Sequence, residues 1–167
     1  PQSRPRFYIV GIRKDRDRGT FAFPSPIPMP HIEDFLDPRR KRDVSTNRPP
    51  PSQRTAMRNV NRVFKLHPKG TPSRQCFIVD CDSSCDRSKA IEGHSPCITR
   101  SRAKGHWITN RGRRMNLPEM MRLQGMTPSS FKMVVSKLQL GQLLGNSMSL
   151  NVLERLFVRL LPAAGLC

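Results

Sequence analysis

The chain has 167 residues, is 36% apolar, and carries 30 Lys plus Arg against 12 Asp plus Glu, giving a formal charge of +18 and a pI of about 11.3. That length allows one domain or part of a larger one, and an apolar share below the roughly 45–50% of ordinary soluble domains, counted with Gly, is concentrated at the two ends and leaves the middle poor in core. Such a charge repels itself in a compact state and is offset most simply by a polyanion; without an apolar span of 18 residues, the balance favours nucleic acid over a membrane.

The chain opens on Pro1-Gln2-Ser3-Arg4, with neither an initiator Met nor an apolar leader, and reads as cut from something longer. Its five cysteines, an odd number without a secretory signal, point to reduced thiols in a nuclear or cytosolic compartment. Gln2, Arg4 and Arg6 are spaced by two, which in an extended segment puts all three side chains on one side. They either converge on one site or merely flank a strand. The apolar run Phe7-Tyr-Ile-Val-Gly-Ile12 then predicts a buried strand.

From Phe23 to Pro30, proline alternates with other residues and enforces an extended path. His31 to Leu36 allows one or two helical turns ended by Pro38. The tetrabasic run Arg39-Arg-Lys-Arg42 suits phosphate contact, an import signal or an exposed loop. Residues 53 to 66 predict a short basic amphipathic helix: Met57, Val60 and Phe64 share a face, while Arg54, Arg58 and Arg62 repeat every four residues. Its basic side either follows a phosphate backbone or is simply solvated.

Cys76-Phe-Ile-Val-Asp80 is a second strand candidate. Cys76, Cys81, Cys85, His94 and Cys97 lack paired C-x-x-C knuckles, so no metal site is expected. Cys97 has no neighbouring base that would make it a nucleophile. Between Ile98 and Arg114 a dense mixture of cations and small polar residues, including Arg100, Arg102, Lys104, Arg111 and Arg113, has the composition of a loop or hairpin pressed against nucleic acid. Trp107, the only tryptophan, is either a packing anchor or a base contact.

The last third has the clearest helical signals. Asn116 three residues before Glu119 predicts a capping box, Pro118 fits the first turn and Gly125 fits a stop. After Ser149, Val152, Leu153, Leu156, Phe157, Leu160 and Leu161 fall on one helical face, with Pro162 expected to end the run.

Three separated pieces resemble, in the right order, motifs of the DNA (cytosine-5-)-methyltransferases. Gln2-Ser-Arg-Pro-Arg6 resembles the family's Gln-x-Arg-x-Arg motif; Arg114-Met-Asn-Leu-Pro-Glu-Met-Met-Arg-Leu-Gln-Gly125 resembles the motif closing its target recognition domain; Gly145-Asn-Ser-Met-Ser-Leu-Asn-Val152 resembles its last motif. The resemblance implies an α/β fold: part of a Rossmann-like S-adenosylmethionine-dependent methyltransferase domain with an inserted, irregular, mostly β and loop recognition domain. The implied boundaries are 1–23 for a catalytic-domain strand region, 24–112 for the recognition domain, and 113–167 for the closing helices.

By the same resemblance, Arg6 would donate to O2 of a flipped cytosine, Arg4 would lie beside the reacting centre and Gln2 would order that site. Gly145, Asn146 and Ser147 would lie against S-adenosylmethionine. Arg114, Glu119 and Arg122 would be structural ties. The partners implied are DNA and a catalytic segment upstream of Gln2, since no Phe-x-Gly-x-Gly turn, Pro-Cys-Gln nucleophile turn or Glu-Asn-Val strand occurs here. The expectation is therefore a C-terminal part, inactive alone and nuclear; the competing reading is a stand-alone basic nucleic-acid-binding module.

Overall fold

A computed structural model of the chain describes residues 1–44, 46–67 and 75–166. The strands are β1 (Gln2–Ser3), β2 (Phe77–Val79), β3 (Ala90–Glu92), β4 (Ser95–Pro96), β5 (Trp107–Ile108) and β6 (Arg113–Arg114). The α-helices are α1 (Arg54–Leu66), α2 (Leu117–Leu123), α3 (Lys137–Asn146) and α4 (Leu150–Ala163), with short 3-10 turns between them. Strands β3-β2-β5-β6 form an antiparallel sheet in that order, while β1 pairs in parallel with β4. This mixture accords with an α/β class.

Alternation along β2 gives the small sheet two apolar faces. Phe77, Val79 and Trp107 point to one side and are covered by Ala56, Val60 and Val63 of α1. Ile78 and Ile108 point to the other, where Ile32, Leu36, Met120, Met121, Leu123 and Leu144 complete the core. Trp107 is thus a packing anchor, only 6% exposed. The second cluster joins residues on both sides of position 112, so the four-stranded sheet and helices α2 and α3 share one core. Each large apolar side chain removed from water there contributes about 1.5–3 kcal/mol.

The helix predicted over 53–66 forms as α1. The capping box is present in α2: the Glu119 N–H donates to Asn116 Oδ1 at 2.9 Å, and the Asn116 N–H donates to Glu119 Oε2 at 2.8 Å. Gly112, at φ 59°, ends the 3-10 turn before β6, and a side chain there would meet the Val44 carbonyl.

Two expectations fail. The run Phe7 to Ile12 forms no strand, and Phe7 and Ile9 are essentially fully exposed. The parallel ladder begun by β1 stops because Pro5 lacks an N–H and Pro96 on the facing strand lacks another. Further on, Pro162 does not end α4, which continues to Ala163; a proline in the last turn forfeits one bond, to the Val158 carbonyl, without breaking the preceding turns. Nor does the apolar face of α4 find full cover among the described residues. Leu156 and Ala163 are buried, but Val152 and Phe157 are exposed.

Candidate functional site

Pairing of β1 with β4 puts Gln2 beside Ser95 and Ser3 beside Pro96, and thereby delivers Arg4 to the end of α3. Its guanidinium donates to the Ile98 carbonyl at 2.5 Å, the Ser147 carbonyl at 2.7 Å and the Gly145 carbonyl at 3.3 Å, and lies 3.3 Å from Cys97 Sγ. The carbonyls at a helix C-terminus lack intrahelical donors and carry the negative end of the macrodipole. A cation there is electrostatically matched.

Arg6 reaches the same thiol, with Nη2 3.8 Å from Cys97 Sγ, and its Nη1 donates to the Pro5 carbonyl at 2.7 Å. It is otherwise exposed. The spacing of two therefore brings Arg4 and Arg6 to one side, as the extended geometry requires. Gln2 has its amide oxygen and nitrogen buried, with no hydrogen-bond partner among the described residues. A buried amide left unpaired is costly, so Gln2 is a polar group held beside the arginines without a bond of its own.

The other half of the site is the turn between α3 and α4. Gly145 packs on the backbone of Thr99 and Arg100, and a Cβ there would come within 2.2 Å of both. Gly141, one turn earlier, meets the Ala103 carbonyl in the same way. Two glycines four residues apart thus let α3 lie directly on the 99–103 loop. Ser147 Oγ donates to the Leu144 carbonyl at 2.8 Å and closes the helix end. Gln124 supports the same end, donating from Nε2 to the Leu144 carbonyl at 2.8 Å and accepting from Ser149 Oγ at 3.1 Å.

These residues fit a nucleoside cofactor only along one edge. Gly145 is committed to packing and the Ser147 hydroxyl to capping, whereas the Asn146 side chain is exposed at the helix end. That leaves one exposed amide to donate to ribose or methionyl groups. It does not enclose them.

The basic set expected at nucleic acid divides in two. Arg100 and Lys104 are exposed. Arg102, Arg111 and Arg113 instead turn inward, each onto a carboxylate. Arg102 forks onto Asp80, with Nε 2.5 Å from Oδ1 and Nη2 3.1 Å from Oδ2. Arg111 is 6% exposed and pairs with Glu33. Arg113 donates to both oxygens of Glu119 at 2.8 and 2.9 Å and to Asp43 at 2.9 Å. Freeing any of these would leave a partly buried carboxylate uncompensated.

The electrostatics follow from that enclosure. Burial opposes the charges of Glu33 and Asp43, but bonds from Arg111 and Arg113 outweigh it and hold both carboxyls below their ordinary range. Burial likewise opposes the Arg113 charge, yet Glu119 and Asp43 raise its pKa. Burial lowers the pKa of His106 despite Asp80 nearby, so the ring is neutral at pH 7; its Nε2 is 3.3 Å from the Cys97 carbonyl.

The structural ties expected of Arg114, Glu119 and Arg122 are present. Arg114 donates to both oxygens of Asp82 at 2.8 Å, and Arg122 reaches Asp37 Oδ1 at 2.5 Å and the Phe35 carbonyl at 2.8 Å. Glu119, fully buried, also accepts from the Asp37 N–H at 2.9 Å. The carboxylates Glu33, Asp37, Asp43, Asp80 and Asp82 are the half of this network that sequence reasoning misses. They lie far along the chain from their arginines, and only the net charge hints that they are scarce enough to be committed.

Helix α3 is also absent from the predicted elements, although Ser136 and Gln139 form a readable Ser-x-x-Gln capping box: the Ser136 N–H donates to Gln139 Oε1 at 3.0 Å and the Gln139 N–H to Ser136 Oγ at 3.3 Å. Among the described residues, no three His, Cys, Asp or Glu side chains cluster to hold a metal ion, and no helix is long and apolar enough to cross a membrane. A family model described as C-5 cytosine-specific DNA methylase matches residues 1–161. No curated protein matches the chain.

Proposed function

Because the chain belongs to the C-5 cytosine-specific DNA methylase family, we propose that it is the part of such an enzyme that recognises DNA and completes one side of the cytosine and cofactor sites. The match along 161 residues carries this reading, and the meeting of Arg4 with Gly145 and Ser147 gives it a geometry. Arg4 fixes the relative position of the first and last motifs. Arg6, exposed beside it, is free to donate to O2 of a cytosine extracted from the duplex and to stabilise charge developing on the ring when C6 is attacked. Gln2 gains a partner for its buried amide once that base is present.

S-adenosylmethionine, when bound, supplies the methyl group that ends on cytosine C5. Asn146 would hold its edge through the exposed side-chain amide, at the turn that Arg4 and Gln124 keep in place. A segment carrying the nucleophilic cysteine and the body of the cofactor site is the natural cover for the exposed side chains of Phe7, Ile9, Val152, Phe157 and Val158. Reduced thiols and a DNA substrate favour a nuclear location.

Light scattering with a thermal melt tests this reading. A chain that needs such a cover self-associates and melts broadly, through its exposed apolar face. A monomer that melts cooperatively would instead support a stand-alone basic binding module.

A further inference from the structure

With Arg102, Arg111 and Arg113 turned inward, other cations are left to meet a polyanion, and an unpaired set of them stands on α1. Arg54, Arg58, Arg62 and Lys65 are all exposed and make no ion pair among the described residues. The opposite side of the helix is fixed: Ala56, Val60 and Val63 pack on the sheet, and buried Asn59 donates from Nδ2 to the Cys81 and Ser83 carbonyls at 3.0 and 2.8 Å. The rotation of α1 is thereby set, with its cations facing out.

Beside them Arg48 lies over the Phe64 ring, 3.5 Å from its centroid, and Arg62 Nη1 donates to the Cys85 carbonyl at 2.9 Å. Arg48, Arg58, Arg62, Phe64 and Lys65 line an open cleft of about 670 Å³ whose lining holds no carboxylate. A neighbouring hollow adds Lys89. Like charges four residues apart destabilise a helix, and α1 has no acidic residue in its first turn to offset Arg54 at the positive end of its dipole. Charge of this kind is matched from outside.

We infer that the outer face of α1, with Arg48 and Phe64, is a platform for the sugar–phosphate backbone of duplex DNA. This rests on the DNA reading given above and names the surface that serves it. Arg54, Arg58 and Arg62 rise over about 12 Å of helix, long enough to meet more than one phosphate of a strand. The contacts position the duplex without reading its sequence.

Fluorescence anisotropy of a labelled duplex, titrated with the 167-residue chain over a range of salt, tests the inference. The variant Arg58→Gln/Arg62→Gln/Lys65→Gln should bind more weakly on every sequence, with a log–log salt slope shallower by about 0.9 for each phosphate that is no longer neutralised. Arg58→Lys/Arg62→Lys should keep most of the slope, separating charge from fold, and circular dichroism should show the helix retained in both. A triple variant with the parent slope, while the parent binds steeply, overturns the platform and leaves the DNA reading standing. A parent chain that ignores DNA overturns both, as does one that binds only phosphatidylserine vesicles.

Discussion

The Arg4 guanidinium donates to the Ser147 carbonyl at 2.7 Å and to the Ile98 carbonyl at 2.5 Å, so one side chain near the start of the chain fastens the turn between the last two helices to the segment that follows β4. Arg6, two residues on, shares the Cys97 thiol but leaves most of its guanidinium exposed. The two arginines of one motif thus separate into a tie and a free hand.

Arg4→Ala is expected to loosen that tie. Charge-assisted bonds to backbone carbonyls are worth about 1.5–3 kcal/mol together with the acceptors they leave unpaired, and the amides from Gly145 to Ser149 should exchange faster with solvent. Arg6→Ala should change stability by no more than about 0.5 kcal/mol. Hydrogen exchange followed by mass spectrometry separates the two; equal effects would contradict the division.

Glu119→Gln is expected to be destabilising. The carboxylate accepts from Arg113, Asn116 and Asp37, and Glu119→Gln leaves Arg113 with Asp43 alone and turns an amide N–H toward buried donors, a change of about 1–3 kcal/mol. The urea midpoint checks this. Glu154→Gln, on the outer surface of α4, should leave the midpoint within measurement error.

Acid should unfold the chain in a definite window. Glu33, Asp37, Asp43 and Asp82 are all lowered from ordinary values of 4.5 and 3.8: burial opposes their charge but partner arginines outweigh it. A carboxyl depressed in the folded state gives stability that is complete above its unfolded value and lost as pH falls through the folded one. Buried His106, lowered from its ordinary value of 6.5, begins the loss as pH falls through that value, and the carboxylates add a steeper loss below about 4.5, as measured by denaturation across pH. Stability that stays level down to about pH 3 would contradict this assignment.

The cysteines should react in order of burial. Burial pushes the Cys76 thiol up to about 12 and the Cys81 thiol up to about 11, while Cys85 and Cys97 are partly exposed. Iodoacetamide at pH 8, with peptide mapping, should label Cys85 and Cys97 well before Cys76 and Cys81.

Local chemistry is legible in the sequence and distant pairing is not. Asn116 with Glu119, the face of α1, and the β2 strand all follow from neighbours within a few residues. The fate of Arg111 and Arg113 depends on Glu33 and Asp43, some 70 to 80 positions away, and no periodicity connects them. Gly145 illustrates the same limit in reverse: its motif suggests a cofactor contact, and the fold gives it a packing role against Thr99 and Arg100. Phe7 to Ile12 has the composition of a strand, but composition supplies no edge to pair with.

Methyl transfer tests the central claim most directly. Supplied with labelled S-adenosylmethionine and duplex DNA, the 167-residue chain alone should incorporate no label above background. Label should appear only when a second polypeptide carrying the family's nucleophilic cysteine and cofactor fold is added, and Arg6→Ala should then abolish it. Sustained incorporation by the chain alone would contradict the account.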